Sequence, residues 1–350
     1  MVEIEQQSIR LARKPLATVR PDDFAVVDEL LPPVALAAGE VEVRPECFGL
    51  NAGLRSRLAT GRSTTLGPAV DIGDVPASDA VARVTRSRDG CLPVGTRVVG
   101  LLPWASRSAH PGTALTRLGD DVDDLRALTL LGHAGLTAYV GLVAVGGLKR
   151  GETVWISAAA GGVGTCAVQL ARALGAKVVA SASGARRLSL LREDLDLPAV
   201  MDRRNDLDGQ LERLAPEGLD LYLDLVGGNH LRQGIAHLRD RGRVVLMGRS
   251  GGVPHRPVLE DSSDLIRRRL TLIGMSVTDH PEARCGLEAL VREADESQSL
   301  KSVATVYSGM RSLPHAFAAL LRGDVLGRAL VRCSGESDAL EPAPAVEMIR

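Results

Sequence analysis

The segment Ala158-Ala-Ala-Gly161-Gly-Val-Gly164 constrains this chain more than any other. An apolar run, Thr153 to Ser157, leads into it. The pattern that follows is helical, with Val163, Ala167, Leu170, Ala171 and Leu174 on one face. Glycine at 161 and 162 lets the backbone turn tightly, and Gly164 lets the helix lie close against the strand. The N-terminus of a helix opening from such a turn offers unpaired N–H groups and the positive end of its dipole to a phosphate. A glycine-rich turn alone need hold no ligand. Within a strand–helix–strand unit of about thirty residues it reads as a dinucleotide-binding turn, with Ala160, Gly161, Gly162, Val163 and Gly164 as its contacts.

The rhythm continues beyond the turn. Lys177 to Ser181 reads as the next strand and Arg186 to Leu191 as the next helix. Pro198 to Met201, Leu219 to Val226 and Arg243 to Met247 are further strands. This alternation predicts α/β architecture with a doubly wound parallel sheet covered on both faces. Residues 1–125 differ: short apolar runs (Val41 to Val43, Ala80 to Val84, Thr96 to Leu102) lie between Pro, Gly and Asp clusters, as in a β-rich domain. Asp120 to Asp124 reads as a solvated turn before a helix begun by Leu128. The expected division is a β-rich substrate domain at 1–125 and a nucleotide domain at 126–269. Residues 270–334 supply its last strand and the return to the first domain, and 335–350 form a loose tail. With 350 residues, 45% of them hydrophobic, each domain has material for its own core.

Composition removes several classes. A formal charge of −1 with 24% charged residues argues against disorder and against a nucleic-acid partner. Only four of the 42 basic residues are lysine (14, 149, 177 and 301), a bias of GC-rich bacterial genes that makes any single arginine weak testimony. Five cysteines, never spaced as C-x-x-C, predict no disulfide framework and a cytoplasmic setting. No secretory leader is expected, since the first twenty residues carry Glu3, Glu5, Arg10, Arg13 and Lys14 without an apolar run. Leu128 to Leu148 is uncharged and long enough to span a bilayer, but it holds five glycines and His133. A buried helix followed by a turn accounts for it, and no membrane partner is expected.

The cofactor can be argued from the end of the second strand. An NAD site wants a carboxylate about twenty residues past the glycines, to accept from the ribose 2′-OH. Here the region reads Ser181-Ala-Ser183-Gly184-Ala-Arg186-Arg187, with no acid before Glu193. Hydroxyls and guanidinium groups suit a 2′-phosphate. Arg203 and Arg204, after the third strand, can reach the same place. The expected cofactor is NADP(H), with Ser183, Arg186, Arg187 and Arg203 among its contacts.

With these residues in hand, the chain resembles the medium-chain dehydrogenase/reductase superfamily. It is most similar to the zinc-independent, quinone oxidoreductase-like branch of leukotriene B4 dehydrogenase, prostaglandin reductase and 2-alkenal reductase. Pro21-Asp-Asp-Phe24, Gly95 to Gly100 with Trp104, Gly135 to Tyr139, Gly151 to Val154, Pro216 to Gly228, and Gly323-Asp324 with Leu326-Gly327 match family blocks in order. The resemblance implies a GroES-like β-rich catalytic domain with an inserted Rossmann domain. It also implies NADPH-dependent reduction of the C=C bond of an enone, enal or quinone-like small molecule, with hydride going to the β-carbon, and a homodimer. By the same resemblance Arg187 stands for a family Lys facing the 2′-phosphate and Arg203 for a Tyr beside it. Gly248 follows the fifth strand, while Met275 and Val277 lie where the backbone meets the nicotinamide amide.

Several family features are missing, among them the acid and the aromatic of the family's substrate segment, here Leu50 to Leu58. An Asn is Leu225 here, another is Val325, and an S-x-Y-N tyrosine has no counterpart near Gly248. These departures keep two alternatives open: a non-redox cyclase or lyase, or an NADP-binding protein without catalysis. Catalytic candidates are correspondingly few. Asn51 and Arg55 lie on the loop matching the family's substrate segment and are candidate carbonyl donors. Tyr139 and Ser250 are weaker candidates, Tyr139 sitting on an apolar helix where packing is the simpler role. His133 and Tyr222 read as core residues, Ser157 lacks a nearby His–Asp pattern, and Arg267 to Arg269 reads as a solvated helix face. No metal site is expected, because Cys47 is isolated and no cysteine cluster exists.

Overall fold

The computed structural model describes residues 3–16, 18–59, 67–248, 262–298, 300–333 and 344–349. They form two compact units, Met1–Thr129 with Val303–Ile349, and Leu130–Ser302.

The first unit opens with strands β1 (Ile4–Leu11) and β2 (Phe24–Leu31), which pair antiparallel. β3 (Glu40–Gly49) leads through helix α1 (Leu54–Ala59) to β4 (Ala77–Ser87), β5 (Arg97–Pro103), β6 (Ser108–Pro111) and β7 (Thr116–Arg117). Each apolar run read above as a strand lies within β3, β4 or β5. A short helix α2 (Asp124–Leu128) closes this part. It corrects one expectation: Leu128 ends a helix, because the Asp123 carboxylate caps the chain at Arg126 N–H and starts it earlier.

The second unit carries α3 (His133–Tyr139), continued by a π-helical turn over Val140–Val145, and then the parallel sheet. Its elements run β8 (Thr153–Ile156), α4 (Gly162–Ala173), β9 (Lys177–Ala182), α5 (Ala185–Ser189), β10 (Val200–Asp202), α6 (Leu207–Leu214) and β11 (Leu219–Asp224). They continue with α7 (Asn229–Ala236), β12 (Leu238–Leu246), α8 (Ser263–Arg268), β13 (Thr271–Gly274) and α9 (Ala283–Gln298). All six strands are parallel in the order β10-β9-β8-β11-β12-β13. The order reverses between β8 and β11, as in doubly wound nucleotide folds. The candidate span Leu128 to Leu148 is therefore α3, its π turn and a glycine turn. No helix among the described residues is long and apolar enough to cross a membrane.

The chain then returns to the first unit through β14 (Ser302–Ser308), α10 (Leu313–Arg322), β15 (Arg328–Arg332) and β16 (Ala345–Ile349). The large sheet there runs β16-β14-β15-β3-β4-β5-β7, with β6 on β3. Its core centres on Phe24, Trp104 and Phe317, whose rings meet at 5.4–6.4 Å, with the indole N–H of Trp104 donating to Ser78. Residues 345–349, read above as loose tail, form the edge strand. A two-pronged ion pair from Arg332 to Glu347, at 2.6 and 2.7 Å, ties them down. The unit boundaries fall at 129/130 and 302/303, with β13, the last strand of the parallel sheet, after residue 270.

Cys47 and Cys166 are buried and Cys333 is half-buried, while Cys91 and Cys285 are exposed. Burial pushes the Cys47 thiol well up and raises Cys333 to about 12, so neither offers thiolate at neutral pH. A disulfide-exchange reagent should therefore titrate two thiols in the native protein and five in denaturant. More than two fast-reacting native thiols would contradict the packing around Cys47 and Cys333.

Candidate dinucleotide site at the carboxyl edge of the parallel sheet

Because the six strands are parallel, their carboxyl ends share one edge, and every residue expected to contact the cofactor follows one of them. The turn after β8 is tight enough to put Ala158 in the left-handed region at φ 47°. Gly161 then caps α4 in extended conformation with no side-chain cap. Thr165 N–H begins the helical ladder on Gly161 O, leaving the N–H groups of Gly162, Val163 and Gly164 ahead of it as first-turn donors. A Cβ on Gly164 would stand 2.4 Å from Ala158 O and 2.6 Å from Ala159 Cα, so glycine is required there by the turn that precedes the helix rather than by the strand itself. Ala160 is buried beneath the turn.

At the end of β9, Gly184 (φ 88°) caps α5, and Arg187 folds back to donate to Ser183 O at 3.2 Å. Arg203 follows β10, exposed, with its N–H on Ala182 O. Arg186, Arg187 and Arg203 have no carboxylate partner among the described residues. Arg204 differs. The Asp202 carboxylate grips its guanidinium at 2.8–3.3 Å and is held below the usual carboxylate range by it. Arg204 is thereby removed from the set of cations the sequence left open. Ser181 is not available either, since it accepts the indole N–H of Trp155 inside the core.

Beyond the switch point, Gly248 N–H donates to Asp224 O at 3.2 Å and Met275 N–H to Leu246 O at 3.3 Å. Val277 packs with Val140 and Ala283, with Met275 and Tyr139 beside them. Tyr139 packs as well: its hydroxyl lies against Gly286 of α9, where a Cβ would come within 2.3 Å of it. Asn51 and Arg55 are half-buried in the first unit, at the end of β3 and in α1. Ser250 lies outside the described residues. His133 is half-buried, and Ser157, far from any triad, is fully buried. Arg267 and Arg269 are solvated as expected, pairing Asp264 and Asp240, whereas Arg268 is folded in and donates to the carbonyls of Ile235, Ala236 and Leu238, where α7 ends and β12 begins.

The sequence reading missed a polar cluster beneath this edge. Tyr222 is fully buried, stacks on Trp155 at 4.3 Å and donates its hydroxyl to Asp224. Burial and the Asp224 charge push the phenol well above its usual range. His230 on α7 lies 6.1 Å from the Trp155 ring, with its Nε2 buried and without a hydrogen-bond partner among the described residues. The pattern "YLD" was a signal, since alternate strand residues share a face and put Tyr222 beside Asp224.

Family models match both parts of the chain: "N-terminal domain of oxidoreductase" over residues 7–118 and "Zinc-binding dehydrogenase" over 162–292. Prostaglandin reductase 1 of Rattus norvegicus is 34% identical over 273 residues, covering 74% of this chain and 82% of that protein. The NADPH-dependent curcumin reductase of Escherichia coli (strain K12) is 27% identical over 341 residues, covering 93% and 96%. The crystal structure of CurA in complex with NADPH from Vibrio vulnificus superposes with a TM-score of 0.84 at 24% identity, covering 94% and 99%. The fold is that of a medium-chain dehydrogenase/reductase, a GroES-like domain carrying an inserted Rossmann domain. The chain belongs to that superfamily, in its zinc-independent, quinone oxidoreductase-like branch with the prostaglandin reductases. Among the described residues no group of three His, Cys, Asp or Glu is placed to hold a metal.

His230 generates a pH dependence. Burial, and then the nearby Arg203 charge, lower its pKa from the usual 6.5, opposed by Asp224. A base whose folded pKa lies below its unfolded value binds more protons when unfolded, so stability rises with pH across that interval. The contribution is complete above about pH 6.5 and is lost as pH falls from there toward the lowered folded value. Thermal unfolding from pH 7.5 to 5 should show a falling Tm whose slope is smaller in His230→Phe. An unchanged slope would remove His230 as the source.

Proposed function

We propose that this protein is an NADPH-dependent reductase of a carbon–carbon double bond conjugated to a carbonyl, in an enone, enal or quinone-like small molecule. The observation that carries the cofactor half is the pairing of an uncapped α4 N-terminus with Arg186, Arg187 and Arg203, all free of carboxylates, and no acid at the end of β9. These residues fit a dinucleotide bearing a 2′-phosphate. Gly162 to Gly164 would meet its pyrophosphate, and the three guanidinium groups its extra dianion. The reductase half is supported by kinship with prostaglandin reductase 1 and curcumin reductase. When bound, NADPH supplies the hydride for the β-carbon, and a proton completes the α-carbon. The chain's own task is then to donate hydrogen bonds where enolate charge develops on the carbonyl oxygen. Asn51 and Arg55 are the proposed donors.

A cytoplasmic enzyme suits five cysteines that form no disulfide among the described residues, and a tailoring role in bacterial secondary metabolism suits the arginine bias. We infer a homodimer as well, since β13 is an edge strand of its sheet among the described residues; light scattering on the purified protein reads this directly. A non-redox cyclisation is the second reading, motivated by Leu225 and by Val325, whose side chain is buried in the apolar core of the first unit.

Titration with NADPH and NADH, read by Trp155 emission and nicotinamide emission, tests the cofactor reading. NADPH should bind at least about tenfold more tightly, and Arg187→Glu or Arg203→Glu should erase most of that difference while changing NADH affinity less than about threefold. Equal affinity for both cofactors in the parent protein would refute it. An enone panel should then consume NADPH only when an activated C=C bond is present. Turnover of a compound with no change in nicotinamide absorbance would establish the non-redox reading instead.

A further inference from the structure

We infer that Asp224, which the sequence places inside a strand and a family block without a role of its own, is a positioning residue that locks the two halves of the dinucleotide site at the topological switch point. The inference rests on the cofactor reading above. Asp224 is 1% exposed, and one oxygen of its carboxylate, Oδ1, accepts three hydrogen bonds. They come from the Tyr222 hydroxyl at 2.8 Å, Val226 N–H at 3.0 Å and Gly227 N–H at 2.8 Å. Its backbone carbonyl accepts two more, from Met247 N–H at 2.9 Å and Gly248 N–H at 3.2 Å. One residue therefore holds the turn between β11 and α7 from inside and fastens the chain leaving β12 from outside.

The lock extends to the glycine turn through Ser157, the residue immediately before Ala158. Its hydroxyl donates to Leu223 O at 3.2 Å and accepts Leu225 N–H at 2.9 Å, bridging β8 to β11 where the strand order reverses. The β11–α7 turn needs this support because Gly227 and Gly228 both take positive φ, 77° and 58°. Such a turn carries inward-pointing N–H groups that no sheet neighbour can satisfy. Charge-assisted acceptance by a buried carboxylate holds them more firmly than a neutral acceptor would. Asp224 is enclosed by its own partners, so it acts on the cofactor by fixing the loops that meet it.

The test measures NADPH affinity at a temperature well below each variant's Tm, for Asp224→Asn, Tyr222→Phe and the parent protein. Asparagine keeps the shape and one acceptor oxygen but removes the charge. It should weaken NADPH about tenfold or more, and Tyr222→Phe, which deletes one of three donors, only about two- to threefold. Both variants should fold, shown by an intact cooperative transition, and the NADPH-induced rise in Tm should shrink in the same order. Parent-like NADPH affinity in Asp224→Asn, with only its Tm lowered, would reduce Asp224 to a structural residue and overturn the inference. Failure of the cofactor reading looks different: the parent protein itself would then bind no NADPH, and both claims would fall together.

Discussion

The approach of α4 to the turn that leads into it governs the rest of the nucleotide-binding unit. At Gly164 the helix comes so close that a single added carbon would sit 2.4 Å from the carbonyl of Ala158. That approach opens an unbroken buried stretch of the helix, Gly164 to Ala171. It also obliges the connecting turn to be very short, and Ala158 bears the strain in a left-handed conformation that costs an L-residue on the order of 1 kcal/mol. Glycine at the N-cap also leaves no side chain to cap the helix, so its first-turn N–H groups are available as donors. Tight packing and an open anion site are two results of one glycine-rich turn.

What could be read from sequence was whatever is local. The glycine turn, the strand–helix alternation and the missing acid before Glu193 all lie within about thirty residues of one another, and each is visible as a pattern. Contacts closed by the fold were not. Ser157 meets Leu223 and Leu225 across 66 and 68 residues of chain, and no periodicity announces that pairing. The placement of the His230 imidazole follows from how α7 lands on Trp155. β16 escaped because its few residues follow a run of Glu, Pro and small residues, and its hold on the sheet depends on the distant partner Arg332. The helix begun by Asp123 escaped for a different reason: an acidic run reads equally well as a solvated turn or as a cap.

Arginine richness is the feature that sequence alone handles worst. When a genome supplies most of its positive charge as arginine, position carries little meaning until partners are known. Arg204 and Arg203 are neighbours in sequence, yet only Arg204 is neutralised by Asp202. Elsewhere in the same unit Arg239 is paired with Glu217 and Asp220, and Arg243 with Glu152. Whatever such pairs add to stability, each cancels the charge of its arginine. Subtracting them leaves Arg186, Arg187 and Arg203 at the ends of β9 and β10 as cations still seeking an anion. A dianionic phosphate has what a surface carboxylate would otherwise supply.

The departure at Leu225 bears on the buried polar cluster. An asparagine side chain at that point of the turn could hydrogen-bond locally; leucine cannot, so the backbone N–H groups that follow β11 must find their acceptors elsewhere. They find them in Ser157 for residue 225 and in Asp224 for residues 226 and 227. Leaving any of these groups buried and unpaired would cost roughly 1–3 kcal/mol, which gives the serine and the aspartate a reason to be where they are whatever the substrate. A loop of two positive-φ glycines can hold one shape on a nucleotide-binding edge only because fixed acceptors beneath it leave its amides no alternative partner.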